Sequence, residues 1–122
     1  MKSNPHGAAG EEYAAKILTE YGYSVVARNF SCRFGEIDLI VENGDVIAFV
    51  EVKTRKYKSM ISGAEAVTYS KQKKIIATAL HYLQEHYSDL QPRFDIFCVT
   101  TGSSGTILKH EYLEGAFDGD VI

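Results

Sequence analysis

Asp38, Glu51 and Lys53 lie within the run Phe34–Lys56, "FGEIDLIVENGDVIAFVEVKTRK", which otherwise has the apolar alternation of two strands joined by a turn. Asn43-Gly44 is a strong hairpin signal. With those two residues as the loop, 42 faces 45, 40 faces 47, 38 faces 49 and 36 faces 51. Side chains alternate along each strand, and opposed residues share a side. One face then carries Glu36, Asp38, Ile40, Ile47, Phe49, Glu51 and Lys53. The other carries Ile37, Leu39, Val41, Val46, Ala48, Val50 and Val52 and is wholly apolar. Asp38 and Glu51 become diagonal neighbours, roughly 7–8 Å apart. A loop of odd length would send them to opposite faces.

Two carboxylates aimed the same way repel unless positive charge lies between them. A hard divalent cation such as Mg²⁺ suits that spot, because it takes oxygen ligands and needs only one or two carboxylates, filling its other positions with water or phosphate. Lys53 projects beside the pair, where an ammonium holds a phosphate oxygen or orients an attacking water. A solvent-facing strand pair with an ordinary Glu51–Lys53 ion pair fits the alternation equally well. Two features favour a site. Ile40, Ile47 and Phe49 make the charged face half apolar, as in a cleft, and the first helix offers a third acid. Glu11 precedes Ala14 by three residues and Leu18 by seven, which puts it on the helix stripe that packs against the sheet. An acid there needs a partner, unless it is simply a first-turn glutamate favoured by the helix dipole. Glu12 is turned about 100° away, toward solvent.

The elements that must position these groups follow from pattern. "GAAGEEYAAKILTEYGY" places Ala14, Ile17, Leu18 and Tyr21 at helical spacing and stops at Gly22. "SVVARNF" is a short strand, followed by the hairpin. From about Ser70, taken as N-cap, "SKQKKIIATALHYLQEHY" sets Ile75, Ile76, Ala79, Leu80 and Leu83 on one stripe. "RFDIFCVT" reads as a buried strand and "TILKHEYL" as a weaker edge strand beyond the turn "TGSSG". The order is helix, three strands, helix, one or two strands, in one α/β domain spanning 1–122.

A length of 122 residues with 45% hydrophobic content supports one real core. The start, "MKSNPHGAAGEEY", has no apolar signal core, and no stretch approaches a membrane span. Cys32 and Cys98 match no zinc or redox spacing, so the expectation is a soluble cytoplasmic protein with reduced thiols. The net charge of −3 hides an asymmetry. Lys53, Arg55, Lys56, Lys58, Lys71, Lys73 and Lys74 lie in a segment with one acid, Glu65, a net +6. The remaining six basic and fifteen acidic residues leave −9. Such a segment is either a phosphate-binding surface or a solvated face of loop and helix.

A helix glutamate, a strand aspartate and Glu-x-Lys on the next strand resemble the PD-(D/E)xK nuclease core. More closely, "GEEYAAKIL…GY…RNF…GEIDLI…FVEVKTR…SKQKK…RFDI…AF" resembles the YraN family of uncharacterised bacterial proteins, over about residues 4–117. That family is similar to archaeal Holliday-junction resolvases, which are Mg²⁺-dependent dimeric endonucleases.

The resemblance implies a restriction-endonuclease-like αβββαβ core with a mixed sheet flanked by helices. It implies metal binding by Asp38 and Glu51, with Mn²⁺ able to replace Mg²⁺, and assistance to the water or scissile phosphate by Lys53. Glu11 completes the acidic cluster and Gln72 supports it. Glu36 and Arg55 belong to the family signature, with Glu36 reaching either the metal or the lysine. Asp95 is expected to serve structure. Ile37 stands where the motif has proline, as in the relatives. Arg55, Lys56, Lys58, Lys71, Lys73 and Lys74 would track flanking phosphates. With no base-reading element in sight, a branched or junction DNA in repair or recombination is the expected substrate. A homodimer is implied, and no membrane partner. A non-catalytic DNA- or repair-protein-binding module and an RNA nuclease remain as alternatives.

Overall fold

Ala14, Ala15 and Leu18 give the first helix, α1 (Pro5–Glu20), a fully buried face. The chain leaves it at Gly22, whose φ of 101° suits the glycine conformation that ends helices. The computed structural model describes residues 5–58 and 67–118. Glu65, the one acid of the basic segment, lies outside them. Strands β1 (Ser24–Cys32), β2 (Gly35–Asn43) and β3 (Val46–Lys56) follow, then helix α2 (Tyr69–Glu85), β4 (Gln91–Thr101) and β5 (Ile107–Phe117). The five strands form one sheet in the order β1-β2-β3-β4-β5. All neighbours are antiparallel except β3 and β4, which run parallel with α2 as their crossover. This is the expected αβββαβ core with a mixed sheet, extended by β5 as an edge strand that continues to Phe117.

Each helix covers one face. Ala14, Ala15 and Leu18 of α1 pack with Leu39, Val41, Ala48, Val50, Phe97 and Val99. Ile75, Ile76, Ala79 and Tyr82 of α2 pack with Ile37, Ile40, Ile47, Phe49 and Ile96. A strand buried on both faces needs a continuous apolar run, which "VIAFV" and "IFCV" supply. Ile40, Ile47 and Phe49 therefore do not line a cleft; at 0–1% exposure they are the core beneath α2.

The hairpin register differs from the expected one. The loop residues are Gly44 and Asp45, not Asn43 and Gly44, and Asn43 pairs with Val46. Gly44 has φ 60° at the first central position, where a type II′ turn takes glycine. The loop keeps its even length, so the parity of the two strands survives. The shift does bring Asp38 opposite Glu51 instead of diagonal to it.

Two details of α2 also depart from expectation. Its N-cap is Thr68, whose Oγ1 accepts the Lys71 N–H at 3.1 Å, and Ser70 lies inside the first turn. Tyr82 replaces Leu80 on the buried stripe, meeting Phe30 and Phe49 edge-on, while Leu80 is 54% exposed. A stripe drawn through aliphatic residues alone had no way to include the tyrosine.

Asp95, on β4, is fully buried. It receives Arg93 Nε (3.0 Å) and Nη2 (2.9 Å), the Tyr112 hydroxyl and the Gly115 N–H (2.9 Å). The last contact exists because β5 bulges opposite Asp95, between the pairs Phe94↔Phe117 and Ile96↔Leu113, with Gly115 at φ 62°. Removing this carboxylate strands a guanidinium and several donors. Asp95→Ala is expected to lower unfolding free energy by about 3–5 kcal/mol, read from urea denaturation. A loss under about 1 kcal/mol would show that water replaces the carboxylate without strain.

Candidate active site at a fork in the sheet

Beyond Leu39↔Val50 the β2–β3 ladder stops, although β2 begins at Gly35 and β3 runs on to Lys56. The outer pairings persist past this point: β1 stays on β2 to Cys32↔Gly35, and β4 stays on β3 to Lys56↔Thr101. The sheet therefore forks between β2 and β3, and Asp38 and Glu51 stand at the point of divergence. Asp38 Oδ2 accepts the Val52 N–H at 2.8 Å, so a side chain takes the place of a strand carbonyl.

A local irregularity permits this. Asn29 lies opposite Asp38, between the pairs Arg28↔Leu39 and Phe30↔Ile37, and has φ 50°, a left-handed conformation that asparagine tolerates. Strict alternation breaks on both strands there. Ala27 and Phe30 face α2, as do Ile37 and Ile40. Ile37 thus leaves the α1-side face expected for it, and Asp38 is freed to turn into the fork.

Glu51 is 5% exposed. Its Oε2 lies 2.9 Å from Lys71 Nζ, on the first turn of α2, and 3.6 Å from Lys53 Nζ. Glu11 reaches the fork from α1, close enough to Asp38 to raise its proton affinity. Gly10, its neighbour, lets the helix approach this closely: a Cβ there would stand 2.5 Å from Thr54 Oγ1 of β3. Glu12 is exposed and pairs with Arg28 at 2.8 Å.

Glu11, Asp38, Glu51 and Lys53 are thus brought together as the sequence suggested. Lys71, expected only as a flanking phosphate contact, joins them. A cleft of about 270 Å³ opens beside the group, lined by Gly35, Glu36, Asp38, Glu51, Lys71, Lys74 and Ile75. Glu36 is on its exposed rim. Gln72 is elsewhere: its Nε2 donates to Val67 O at 3.1 Å and braces the start of α2.

The remaining cations divide between two places. Lys73 lies over the Tyr69 ring, 5.2 Å from its centroid. Arg55, Lys56 and Lys58 line a second hollow with Tyr57, Thr100 and Lys109. Lys109 was not singled out from the sequence. It lies far along the chain, and only the register Arg55↔Thr100↔Lys109 across three strands brings it to this row.

Burial, followed by repulsion from Glu51 and Glu11, pushes the Asp38 carboxyl up to about 8, against the pull of the Val52 N–H. Burial alone would lower the Lys71 ammonium, but the carboxylates of Glu51 and Asp38 outweigh it and raise its proton affinity. The cluster is short of positive charge. Among the described residues, no group of three or more His, Cys, Asp or Glu side chains is arranged to hold a metal unaided. Asp38 and Glu51 do offer an all-oxygen pair of the kind that a cation retaining several waters requires.

The raised carboxyl has a measurable consequence. Between about pH 4 and pH 8 the folded chain binds a proton at Asp38 that the unfolded chain has released, so stability falls as pH rises through that window. In the presence of a chelator, Asp38→Asn keeps an acceptor for the Val52 N–H and removes the dependence. Between pH 5 and 8 the wild type should lose at least about 1 kcal/mol relative to this variant in urea denaturation. Parallel pH profiles would refute the assignment.

Three relatives share the chain's pattern over most of its length. A protein of Rhodococcus jostii is 44% identical over 114 residues, covering 91% of this chain and 94% of its own. One from Symbiobacterium thermophilum is 44% identical over 112 residues, with the same coverage. One from Acinetobacter baumannii is 47% identical over 94 residues, 75% of this chain and 71% of its own. All three carry the designation UPF0102 protein. The model of the uncharacterised protein family UPF0102 matches residues 10–99, from the close approach of α1 through the fork and α2 to β4. The chain belongs to the uncharacterised protein family UPF0102.

Proposed function

We propose that this protein is a divalent-metal-dependent, structure-selective DNA endonuclease, resembling a junction resolvase and acting in repair or recombination. The observation that carries the proposal is the meeting of Asp38 and Glu51 at the fork with Glu11 behind them and two lysine ammoniums on Glu51.

Each residue has a separable task. Asp38 and Glu51 would hold the cation, Mg²⁺ or Mn²⁺, with Asp38 in its ionised form. The chemistry such an ion would supply there is acidification of a bound water and polarisation of the phosphodiester. Lys53, held on β3 beside Glu51, offsets charge developing on the phosphate in the transition state. Glu11 fixes the orientation of Asp38. The cleft edge at Lys71 and Lys74 and the hollow at Arg55, Lys56, Lys58 and Lys109 supply phosphate contacts on either side. None of these groups forms an element that enters a groove to read bases, which favours recognition of a branched shape.

The direct test is Mg²⁺-dependent cleavage of labelled four-way junctions, flaps, single strands and linear duplex. Wild type should cut branched DNA, and Glu51→Gln should cut it at least about 100-fold more slowly. If both proteins bind DNA and neither cuts, the chain is a binding module. Cleavage confined to matched RNA substrates would reassign it as an RNA nuclease. A separate expectation concerns Lys109. In the Glu51→Gln background, Lys109→Gln should weaken junction binding and reduce the log–log salt slope by about 0.9; an unchanged slope removes Lys109 from the interface.

A further inference from the structure

The cation nearest Glu51 is not the lysine of the Glu-x-Lys pair but Lys71 of α2, at 2.9 Å against 3.6 Å. Both ammoniums address the same oxygen, Oε2, of a carboxylate whose side chain is 6% exposed. A carboxylate so buried requires a compensating charge. An ammonium at hydrogen-bond distance from a carboxylate oxygen occupies space that a metal ion bound to that oxygen, at about 2.0–2.1 Å, would enter. Both cannot keep these positions without strong mutual repulsion inside a partly dry cleft.

We propose that Lys71 is a resident competitor for the metal position: it neutralises Glu51 in the metal-free protein, is displaced by the arriving divalent ion, and thereby sets the affinity of the site. The proposal rests on the metal-dependent function above. The geometry identifies Lys71, rather than Lys53, as the group that leaves. Its side chain is 44% exposed against 29% for Lys53, so it has open solvent to swing into. Its backbone stays fixed, because the Lys71 N–H donates to Thr68 Oγ1 at 3.1 Å at the cap of α2. A flexible four-carbon stem on an anchored helix start moves its charge without moving the helix. Lys53 rises from a strand paired with β4 through Lys53↔Cys98 and remains in place.

The test is calorimetric titration of Mg²⁺ into the full chain, without nucleic acid, alongside thermal unfolding with chelator and with Mg²⁺. Lys71→Met deletes the charge, and Lys71→Gln retains a donor for Glu51 should the first variant fold poorly. Both are expected to bind Mg²⁺ about tenfold more tightly than wild type, to melt lower with chelator, and to gain more from Mg²⁺. Lys74→Gln, on the same cleft, should change affinity less than about twofold. A lysine that merely braced Glu51 would lower the melting temperature without tightening the metal. Equal or weaker Mg²⁺ binding by both Lys71 variants, with wild type binding, overturns the competitor role and leaves the metal site standing. If wild type and variants all fail to bind Mg²⁺, the metal-dependent function falls and the competitor falls with it.

Discussion

The hydrogen bond from the Val52 N–H to the Asp38 carboxylate is the point on which the arrangement turns. Everywhere along Leu39–Asn43, β2 meets β3 by ordinary pairing. At Asp38 a side chain takes over the donor and the strands separate, each still held by its outer neighbour. Without the fork, Glu51 and Asp38 would sit in a closed sheet covered by helices on both faces, with no room for either charge. With it, acids from β2, β3 and α1 converge where the two layers of the core part.

Among the described residues there are two buried carboxylate centres, and they are built in opposite ways. Asp95 is surrounded by a guanidinium, a phenol and a backbone N–H, and every approach to it is a donor. That centre is saturated; it ties β4 to β5 and has nothing left to offer a ligand. At the fork, two lysines serve one oxygen of Glu51, while Asp38 has one backbone donor and two acidic neighbours. A polar network satisfied in full stabilises, whereas one left short of charge costs stability.

Much of this was legible in the residues. Hydrophobic period and turn chemistry gave the element order, and the even loop gave the shared side of Asp38 and Glu51. What period-two alternation missed was its own interruption. Asn29 and Asp38 break the alternation at facing positions, and no single-strand pattern announces a break that takes two strands to make. The one-step slip of the loop to Gly44-Asp45 was equally hidden, since Asn-Gly and Gly-Asp are both acceptable turn pairs. Lys109 and the approach of Lys71 to Glu51 depend on register and on a crossover helix. They are properties of the assembled sheet rather than of any local stretch.

The parallel step from β3 through α2 to β4 also sorts charge along the molecule. The end of β3, the start of α2 and the end of β4 lie at one extremity, with Lys53, Arg55, Lys56, Lys71, Lys73 and Lys74, joined by Lys109 from β5. The hairpin loop, the end of α2 and the start of β4 lie at the other, with Glu42, Asp45, Glu85 and Asp89. The basic residues thus gather on the rim where the fork opens, around the acids Glu11, Glu36, Asp38 and Glu51 that stand in the fork itself. Charge separated in this way turns a body in the field of any polyanion so that its basic rim leads. The acids at the opposite end repel the same field, so the two ends of the molecule are electrostatically unlike.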